Sequence, residues 1–325
     1  MSGDRIKGAF AGLAVGDAAG WPAARHRAAL HAPWSRRLHR ELDAFAEEHR
    51  VTTLPVPFAL NQPTAPLAIG PSDDAEWLAW TLLTIDRPRA EAFRELIGAE
   101  ARARISVATA LDNLAKGVEP PASGHDNPHH FDDAAAIRAV AFGALGRDPT
   151  QDAQVTNAAD GIRGAQAMAA AVAEAVETGE IGRAVEAALA VLPQDTAIGH
   201  NARLALEVAR EAGDAFAAVP ALDAALLDHV YSYGVGAAQT VPVALALAEV
   251  SGGELVRAVP AAACLAALAD SAPALAGALA GACGGYEAIP EGWAAPARTL
   301  AGCCLPDLAG KDLIELASNF TEGIA

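Results

Sequence analysis

The sequence predicts an all-α protein, folded as a single compact many-helix domain, and three observations support this prediction. No segment alternates apolar and polar residues with the period of two that is typical of a half-buried strand. Hydrophobic residues make up 52% of the chain but aromatic residues only 5%, so the core must consist mainly of alanine, leucine and valine, and alanine is the best helix former. No tandem repeat or linker divides the sequence, so we predict one domain over residues 1–325.

The first predicted helix covers residues 4–20. Gly8, Gly12, Gly16 and Gly20 recur every four residues, which places them on one side of a helix. Glycine lowers helix stability, so the pattern indicates that another backbone or a ligand comes close to this side.

Residues 21–70 are predicted to form a lid or an insertion. Within them 35–49 look helical, and 50–70 are rich in proline and look extended. Two interpretations remain open, namely a solvated surface hairpin and a lid that binds phosphate, because the planar guanidinium group matches phosphate oxygens. The arginines concerned are Arg25, Arg27, Arg36, Arg37 and Arg40.

A helical pattern over 74–117 leads into a polar segment at 118–133, which we predict to be an active-site loop. Polar loops on a rigid scaffold commonly carry binding and catalytic groups. A solvated loop that caps the helix beginning at Ala134 is the simpler alternative. The titratable residues of this loop include His125, Asp126, His129, His130, Asp132 and Asp133.

The remainder of the chain predicts helices separated by short breaks. Residues 319–325 are expected to fray. The predicted ranges are 151–177, 181–192, 196–212, 219–232, 237–250, 254–268, 271–283, 295–304 and 309–318.

Charge and cysteine content argue against several classes of function. The net charge is −17 and the pI is about 4.8. Such a surface repels phosphate backbones and anionic lipid, so neither membrane binding nor general nucleic-acid binding is expected. The four cysteines lack zinc-site spacing, and we expect them to be reduced in a cytoplasmic protein.

The chain is organised around Ser72, Asp73 and Asp74, which stand at the start of a helical run. Far along the sequence, Asp270 and Ser271 open a second helix of small residues. Carboxylate and hydroxyl oxygens are the ligands of hard cations such as Mg²⁺, so two facing helix starts of this kind would hold one or two ions. Ordinary helix capping is the alternative, because Ser and Asp accept hydrogen bonds from free backbone N–H groups.

Five short motifs follow one another between about residue 4 and 318. They are Gly16-Asp17-Ala18-Ala19-Gly20, Ser72-Asp73-Asp74, Asp133 to Arg138, Thr156-Asn157, and Asp270-Ser271 with the following small-residue helix and Ile289-Pro290. In this order the motifs resemble the ADP-ribosylglycohydrolase family. The resemblance implies an all-α fold, a Mg²⁺ or Mn²⁺ site that is usually binuclear, and hydrolysis of a glycosidic bond to ADP-ribose.

Four features depart from the family pattern. Leu268 stands where the family has the first acid of Asp-x-Asp, Ala23 or Ala24 where it has another acid, and Asn157 where it has a histidine. The loop 123–133 replaces a Gly-rich loop. Because Leu268 supplies no ligand, we expect at most one weakly held Mg²⁺ or Mn²⁺, with a metal-free site as the alternative.

The motifs and the resemblance together predict the site residues. The metal ligands are Ser72, Asp73, Asp74, Asp270 and Ser271. Asp132 or Asp133 is the general acid or base, and Asp74 is a further catalytic residue. The substrate-binding residues are Asp17, His125, Asp126, Asn127, His129, Asn157 and Tyr233. Arg138 is expected to anchor the loop through a carboxylate.

The predicted function is a hydrolase that cleaves a glycosidic bond to ADP-ribose or a related ribosyl compound. Its partner is a small ribosyl or ADP-ribosyl ligand, or an ADP-ribosylated macromolecule. A catalytically decayed ribosyl-nucleotide-binding or structural protein is the alternative, and an enzyme for a different ribosyl substrate is a third reading. We expect Asp17, residues 72–74, Asp270 and loop 123–133 to converge in one pocket, with basic residues of 25–40 at its mouth.

Overall fold

A computed structural model describes residues 3–29, 70–227 and 234–321, without the side chains of 21–29 and 321. In these ranges it contains sixteen α-helices and no strand, which confirms the all-α prediction. Short 3₁₀ helices cover Tyr286–Ala288 and Pro306–Leu308. The helices are α1 (Gly3–Ala29), α2 (Asp73–Thr84), α3 (Arg89–Arg94), α4 (Ile105–Ala115), α5 (Ala122–His125), α6 (Ala134–Ala144), α7 (Thr150–Thr156), α8 (Asp160–Thr178), α9 (Ile181–Val191), α10 (Ala197–Ala212), α11 (Ala215–Leu226), α12 (Ala237–Val250), α13 (Leu255–Ala263), α14 (Ala272–Gly284), α15 (Glu291–Ala297) and α16 (Leu313–Thr321).

Several predicted helix boundaries differ from the observed ones. The predicted helical region 74–117 holds three helices, and the polar loop contains the short helix α5. Helix α1 runs through Ala29, well past its predicted end, into the range assigned to the lid. The predicted helix at 35–49 and most of the lid lie outside the described residues, as do residues 228–232 of the predicted helix 219–232.

Two differences have a visible physical cause. The predicted helix 151–177 breaks after Thr156. There the side-chain amide of Asn157 donates to the loop carbonyls of His130 and Asp132, and the backbone of Asn157 is extended. The predicted helix 295–304 ends at Ala297, because Thr299 pairs with Asp312 in an isolated β-bridge. In both places long-range contacts override the local helical pattern.

Helix α1 lies backbone to backbone along α14, as the glycine spacing predicts. A Cβ built on Gly12 would lie 2.0 Å from the carbonyl oxygen of Gly277, and one built on Gly16 would lie 2.0 Å from that of Pro273. The contact is reciprocal, since a Cβ on Gly277 would lie 2.1 Å from the oxygen of Gly12. Real side-chain carbons do not come this close to an oxygen, so only glycine permits the observed helix separation.

We therefore predict that Gly12→Ala lowers the free energy of unfolding by about 1–3 kcal/mol, the usual cost of overpacking a core. Urea titration followed by circular dichroism measures the change. The control is Gly182→Ala in α9, where a Cβ would meet nothing within 4 Å; there alanine should stabilise the helix by up to about 1 kcal/mol. Equal effects at the two positions would contradict the prediction.

A buried ion network lies beneath the polar loop. Arg138 is fully buried, and its Nε donates to Oδ2 of Asp152 at 2.7 Å. Arg89 donates from Nε to Oδ1 of the same carboxylate at 2.9 Å. Arg138 also donates to Thr156 Oγ1 at 2.7 Å, so the network fixes α7 against α6. The carboxylate contact expected for Arg138 is thus present, and its carboxylate comes from a helix rather than from the loop.

Asp152→Ala should destabilise the protein by about 3–5 kcal/mol, because it leaves two buried guanidinium groups without their shared counter-charge. The exposed Asp112 of α4 provides the matched control, and Asp112→Ala should change stability little. Thermal and urea unfolding of both variants measure the difference. A small effect of Asp152→Ala would mean that water reaches the network.

Candidate active site

Three helix N-termini meet at the site. Helix α2 begins after Ser72, α14 after Ser271 and α6 after Asp133. None of these three N-cap residues caps its own helix through its side chain. The capping alternative therefore does not account for their side chains. The partial positive charge at a helix N-terminus favours nearby carboxylates.

Asp17 of α1 caps helix α2 in place of the N-cap residue Ser72. Its Oδ2 accepts hydrogen bonds from the backbone N–H groups of Ser72 at 2.7 Å and Ala75 at 3.0 Å, and its Oδ1 accepts a short hydrogen bond from Ser72 Oγ. The side chain is 1% exposed. Burial raises the pKa of Asp17 to about 7 and Asp73 adds to the rise, while these hydrogen bonds oppose it.

This pKa predicts a pH-dependent stability that Asp17→Asn removes. An aspartate in an unfolded chain has a pKa of about 3.9, so between that value and about 7 the folded protein keeps a proton that the unfolded chain has lost. Asp17 therefore contributes most at low pH, and its contribution is lost as the pH rises through about 7.

The wild-type free energy of unfolding should fall more steeply than that of Asp17→Asn as the pH rises through this window. Urea titrations at a series of pH values between the two pKa values measure both slopes, and Asp112→Asn should keep the wild-type slope. Parallel profiles for wild type and Asp17→Asn would mean that Asp17 is ionised throughout.

The centre of the site is occupied by Arg104, a residue that the sequence analysis did not single out. Its Nη2 donates to Asp74 Oδ1 at 2.8 Å and to Ser271 Oγ at 2.6 Å, and lies 3.9 Å from Asp270 Oδ2. Its Nη1 forms an ion pair with Asp133 Oδ1, and its Nε lies 3.7 Å from Asp73 Oδ2. One guanidinium group therefore contacts four carboxylates and one hydroxyl.

The expected convergence of the two metal-motif segments is present. Asp74 and Asp270 approach the same Arg104 nitrogen, and Asp133 of the polar loop joins them. Asp74 is almost fully buried, whereas the side chains of Asp73 and Asp270 are 24% and 29% exposed. The site is therefore buried on the side of Asp74 and partly exposed to solvent at the edge formed by Asp73 and Asp270.

Asp132 and Asp133 are both fully buried at the end of the polar loop. Asp132 Oδ1 accepts from the backbone N–H of Ala134 at 3.2 Å and from Asn157 Nδ2 at 2.9 Å. The backbone N–H of Asp133 donates to Val235 O at 2.9 Å. Among the described residues, the Oδ2 atoms of Asp132, Asp133 and Asp74 have no hydrogen-bond partner, so three buried carboxylate oxygens are left to meet a ligand or water.

The other loop residues divide into two groups. Asn127 and Asn157 are buried and hold the loop, Asn127 by donating to Ser106 O at 2.6 Å and Thr156 O at 3.0 Å. His125 and Asp126 have side chains that are 79% and 75% exposed. His129 lies between these extremes, with its ring 6.0 Å from that of Phe131. The two asparagines are thus placed as supports for the loop, and the substrate-binding roles predicted for them remain predictions.

Tyr233 and residues 30–40 lie outside the described residues, and the side chains of Arg25 and Arg27 are not described. The predicted basic mouth of the pocket therefore stays a prediction.

A second cluster contains Glu76, Cys303 and Cys304, whose ligand atoms lie within 4.8 Å of one another. Glu76 accepts three backbone hydrogen bonds, from Cys303 at 2.8 Å, Cys304 at 2.7 Å and Leu305 at 2.8 Å. The side-chain hydrogen bond with Cys303 and burial raise the pKa of Cys304. Glu76 is therefore placed as an anchor for the 303–305 loop.

The fold and the site define the class: this is an all-α protein whose site consists of carboxylates gathered at helix N-termini. Sequence comparison then identifies the family. A profile described as ADP-ribosylglycohydrolase matches residues 2–323, so the chain belongs to the ADP-ribosylglycohydrolase family. A solved structure described as "ADP-ribosylglycohydrolase-related protein complex" matches with a TM-score of 0.57 and 18% identity, over 98% of each chain. At that identity the likeness shows the fold alone.

A search of curated proteins found no match. In the part of the chain that the structure describes, no helix combines the length and apolar character needed to cross a membrane.

The family generally uses a divalent metal ion, and the residues of this site can be tested against that requirement. Mg²⁺ binds oxygen ligands at about 2.0–2.1 Å. Here Nη2 of Arg104 already lies 2.6–2.8 Å from Ser271 Oγ and Asp74 Oδ1, two of the predicted ligand atoms. Leu268 is fully buried in the core and offers no oxygen. With Arg104 in this position, the predicted ligands do not fit a divalent ion.

No local sequence pattern identifies Arg104. Its partners lie 30 and 167 residues away in the chain, and its own neighbours, Ala103 and Ile105, are apolar.

Proposed function

We propose that this protein hydrolyses a glycosidic bond to ADP-ribose or a related ribosyl group. The observation that carries the proposal is the convergence of buried carboxylates from α2 and the polar loop, in each of which the Oδ2 atom has no hydrogen-bond partner among the described residues. Glycoside hydrolysis commonly uses a pair of carboxyl groups in different environments, one as acid and one as base or nucleophile.

Asp74 is the proposed general acid. Burial raises the pKa of Asp74 well above its usual value; Arg104 lowers it, and Asp73, Asp17 and Asp270 raise it further. A carboxyl group with a raised pKa is a better proton donor to the departing group than an ordinary aspartate.

Asp133, or its neighbour Asp132, is the proposed general base. Asp133 is held beside Asp74 by Arg104, and its Oδ2 is available to a water molecule. The base takes a proton as the water oxygen bonds to the anomeric carbon. The bond from that carbon to the leaving group breaks, and the leaving group takes the proton of Asp74. Asp73 and Asp270, at the partly exposed edge of the site, are proposed to bind ribose hydroxyl groups.

The exposed loop residues His125, Asp126 and His129 are proposed to contact the substrate beyond the ribose, together with Tyr233.

A cytoplasmic location remains a prediction from the cysteine composition.

A second candidate function is binding of a ribosyl nucleotide without hydrolysis. Arg104 favours it, because its guanidinium group is already paired with Asp74 and Asp133, the carboxylates that would do the chemistry. Leu268, buried at the position of a family acid, favours it as well.

Asp74→Asn should lower kcat at least about 100-fold, the usual contribution of a positioned acid or base, while ADP-ribose binding is kept. The assay incubates wild type, Asp74→Asn and Asp112→Asn with N-linked ADP-ribosyl-arginine and O-linked ADP-ribosyl-serine peptides. Chromatography measures released ADP-ribose, and calorimetry measures ADP-ribose binding. Asp112→Asn should behave as wild type.

The outcomes separate the two functions. Release of ADP-ribose that requires Asp74 supports the hydrolase. Binding without release from either conjugate supports the non-catalytic alternative. An absence of both would refute the proposal that the site takes a ribosyl group.

A further inference from the structure

We propose that Arg104 is the resident cation of this site, and that its guanidinium group keeps a divalent metal ion out of the carboxylate cluster. The inference concerns which cation occupies the site, and it does not depend on whether the protein hydrolyses a glycosidic bond.

The guanidinium group uses all three of its nitrogens on the cluster. Nη2 contacts Asp74, Ser271 and Asp270, Nη1 pairs with Asp133, and Nε faces Asp73. These contacts come from the helix starts of α2 and α14 and from the polar loop, so the planar group bridges all three. A metal ion bound to Asp74 and Ser271 would have to share the space of Nη2, and would also be repelled by its charge.

Arg104 is held in place by its backbone as well as by its charge partners. Two residues earlier, the backbone N–H of Arg102 donates to Cys304 O at 2.8 Å. Cys304 in turn donates to the carboxylate of Glu76, one turn after Asp73 in α2. This chain of contacts ties the segment before α4 to the helix that presents Asp74, and the Arg104 side chain is only 11% exposed.

The charge of Arg104 is also secure. A guanidinium group stays protonated in proteins. The cation therefore cannot be removed by a change of pH in the physiological range.

Two buried carboxylates of the cluster keep an oxygen that no described residue satisfies. These oxygens are the Oδ2 atoms of Asp74 and Asp133, and the Oδ1 atom of each carboxylate faces Arg104. Removal of Arg104 should leave both carboxylates without their paired cation and let a hard cation bind, since carboxylate oxygens are its preferred ligands.

The test is Mn²⁺ binding by the full chain, measured by calorimetry and by the electron paramagnetic resonance signal of free Mn²⁺. Wild type should show no saturable site. Arg104→Met should bind one Mn²⁺ with a Kd at least about tenfold below the highest Mn²⁺ concentration at which wild type shows no saturation, and Mn²⁺ should raise its melting temperature, because a ligand that binds only the folded state stabilises it.

Arg102→Met is the matched control. Arg102 is an exposed arginine in the same segment, so its loss changes the net charge by the same amount and leaves the guanidinium group of Arg104 in place. This variant should bind Mn²⁺ no better than wild type. Arg104→Gln provides a second variant in case Arg104→Met does not fold, because glutamine keeps a hydrogen-bond donor for Asp74 while removing the charge.

Each outcome decides the proposal. A saturable Mn²⁺ site in wild type overturns it, since Arg104 would then coexist with the ion or move aside for it. Failure of folded Arg104→Met or Arg104→Gln to bind Mn²⁺ also overturns it. Binding by these variants, with none by wild type or Arg102→Met, supports it.

Discussion

The close contact between α1 and α14 is the constraint on which the rest of the structure depends. Gly8, Gly12, Gly16 and Gly20 remove the side chains that would hold the two helices apart. Asp17 lies between Gly16 and Gly20, so the same contact brings it to the start of α2. Helix α14 presents Ser271 at its own N-terminus. Packing of two backbones therefore sets the position of the polar groups that define the site.

The site concentrates negative charge in a buried place, and its neighbours compensate for this in different ways. Asp17 receives three hydrogen bonds at the start of α2. Asp152 is paired with two buried arginines. Asp74 and Asp133 share Arg104 and still keep an oxygen without a hydrogen-bond partner in the described structure. Buried polar atoms are usually paired, so the incomplete satisfaction of the last two marks the place where a ligand is expected to bind.

Two supports keep these charges in position. Beneath the polar loop, Arg138 joins α6 to Asp152 and to Thr156, and Asn157 then holds Asp132. On the other side, Glu76 fixes the 303–305 loop, which fixes the segment that carries Arg104. Catalytic and binding groups must be held by rigid surroundings to act, and each half of the site has such a support.

The sequence by itself determined the fold class, the family, the glycine contact and most of the residues that meet at the site, because helical periodicity and short motifs are local features. It also located the substitution at Leu268, which the structure places in the core. Helix ends such as that of α7 were decided by tertiary contacts of Asn157. Arg104 could be found only in the structure, because its partners Asp74, Asp133 and Ser271 are distant in sequence and a guanidinium group among carboxylates is a product of folding, which no local pattern encodes.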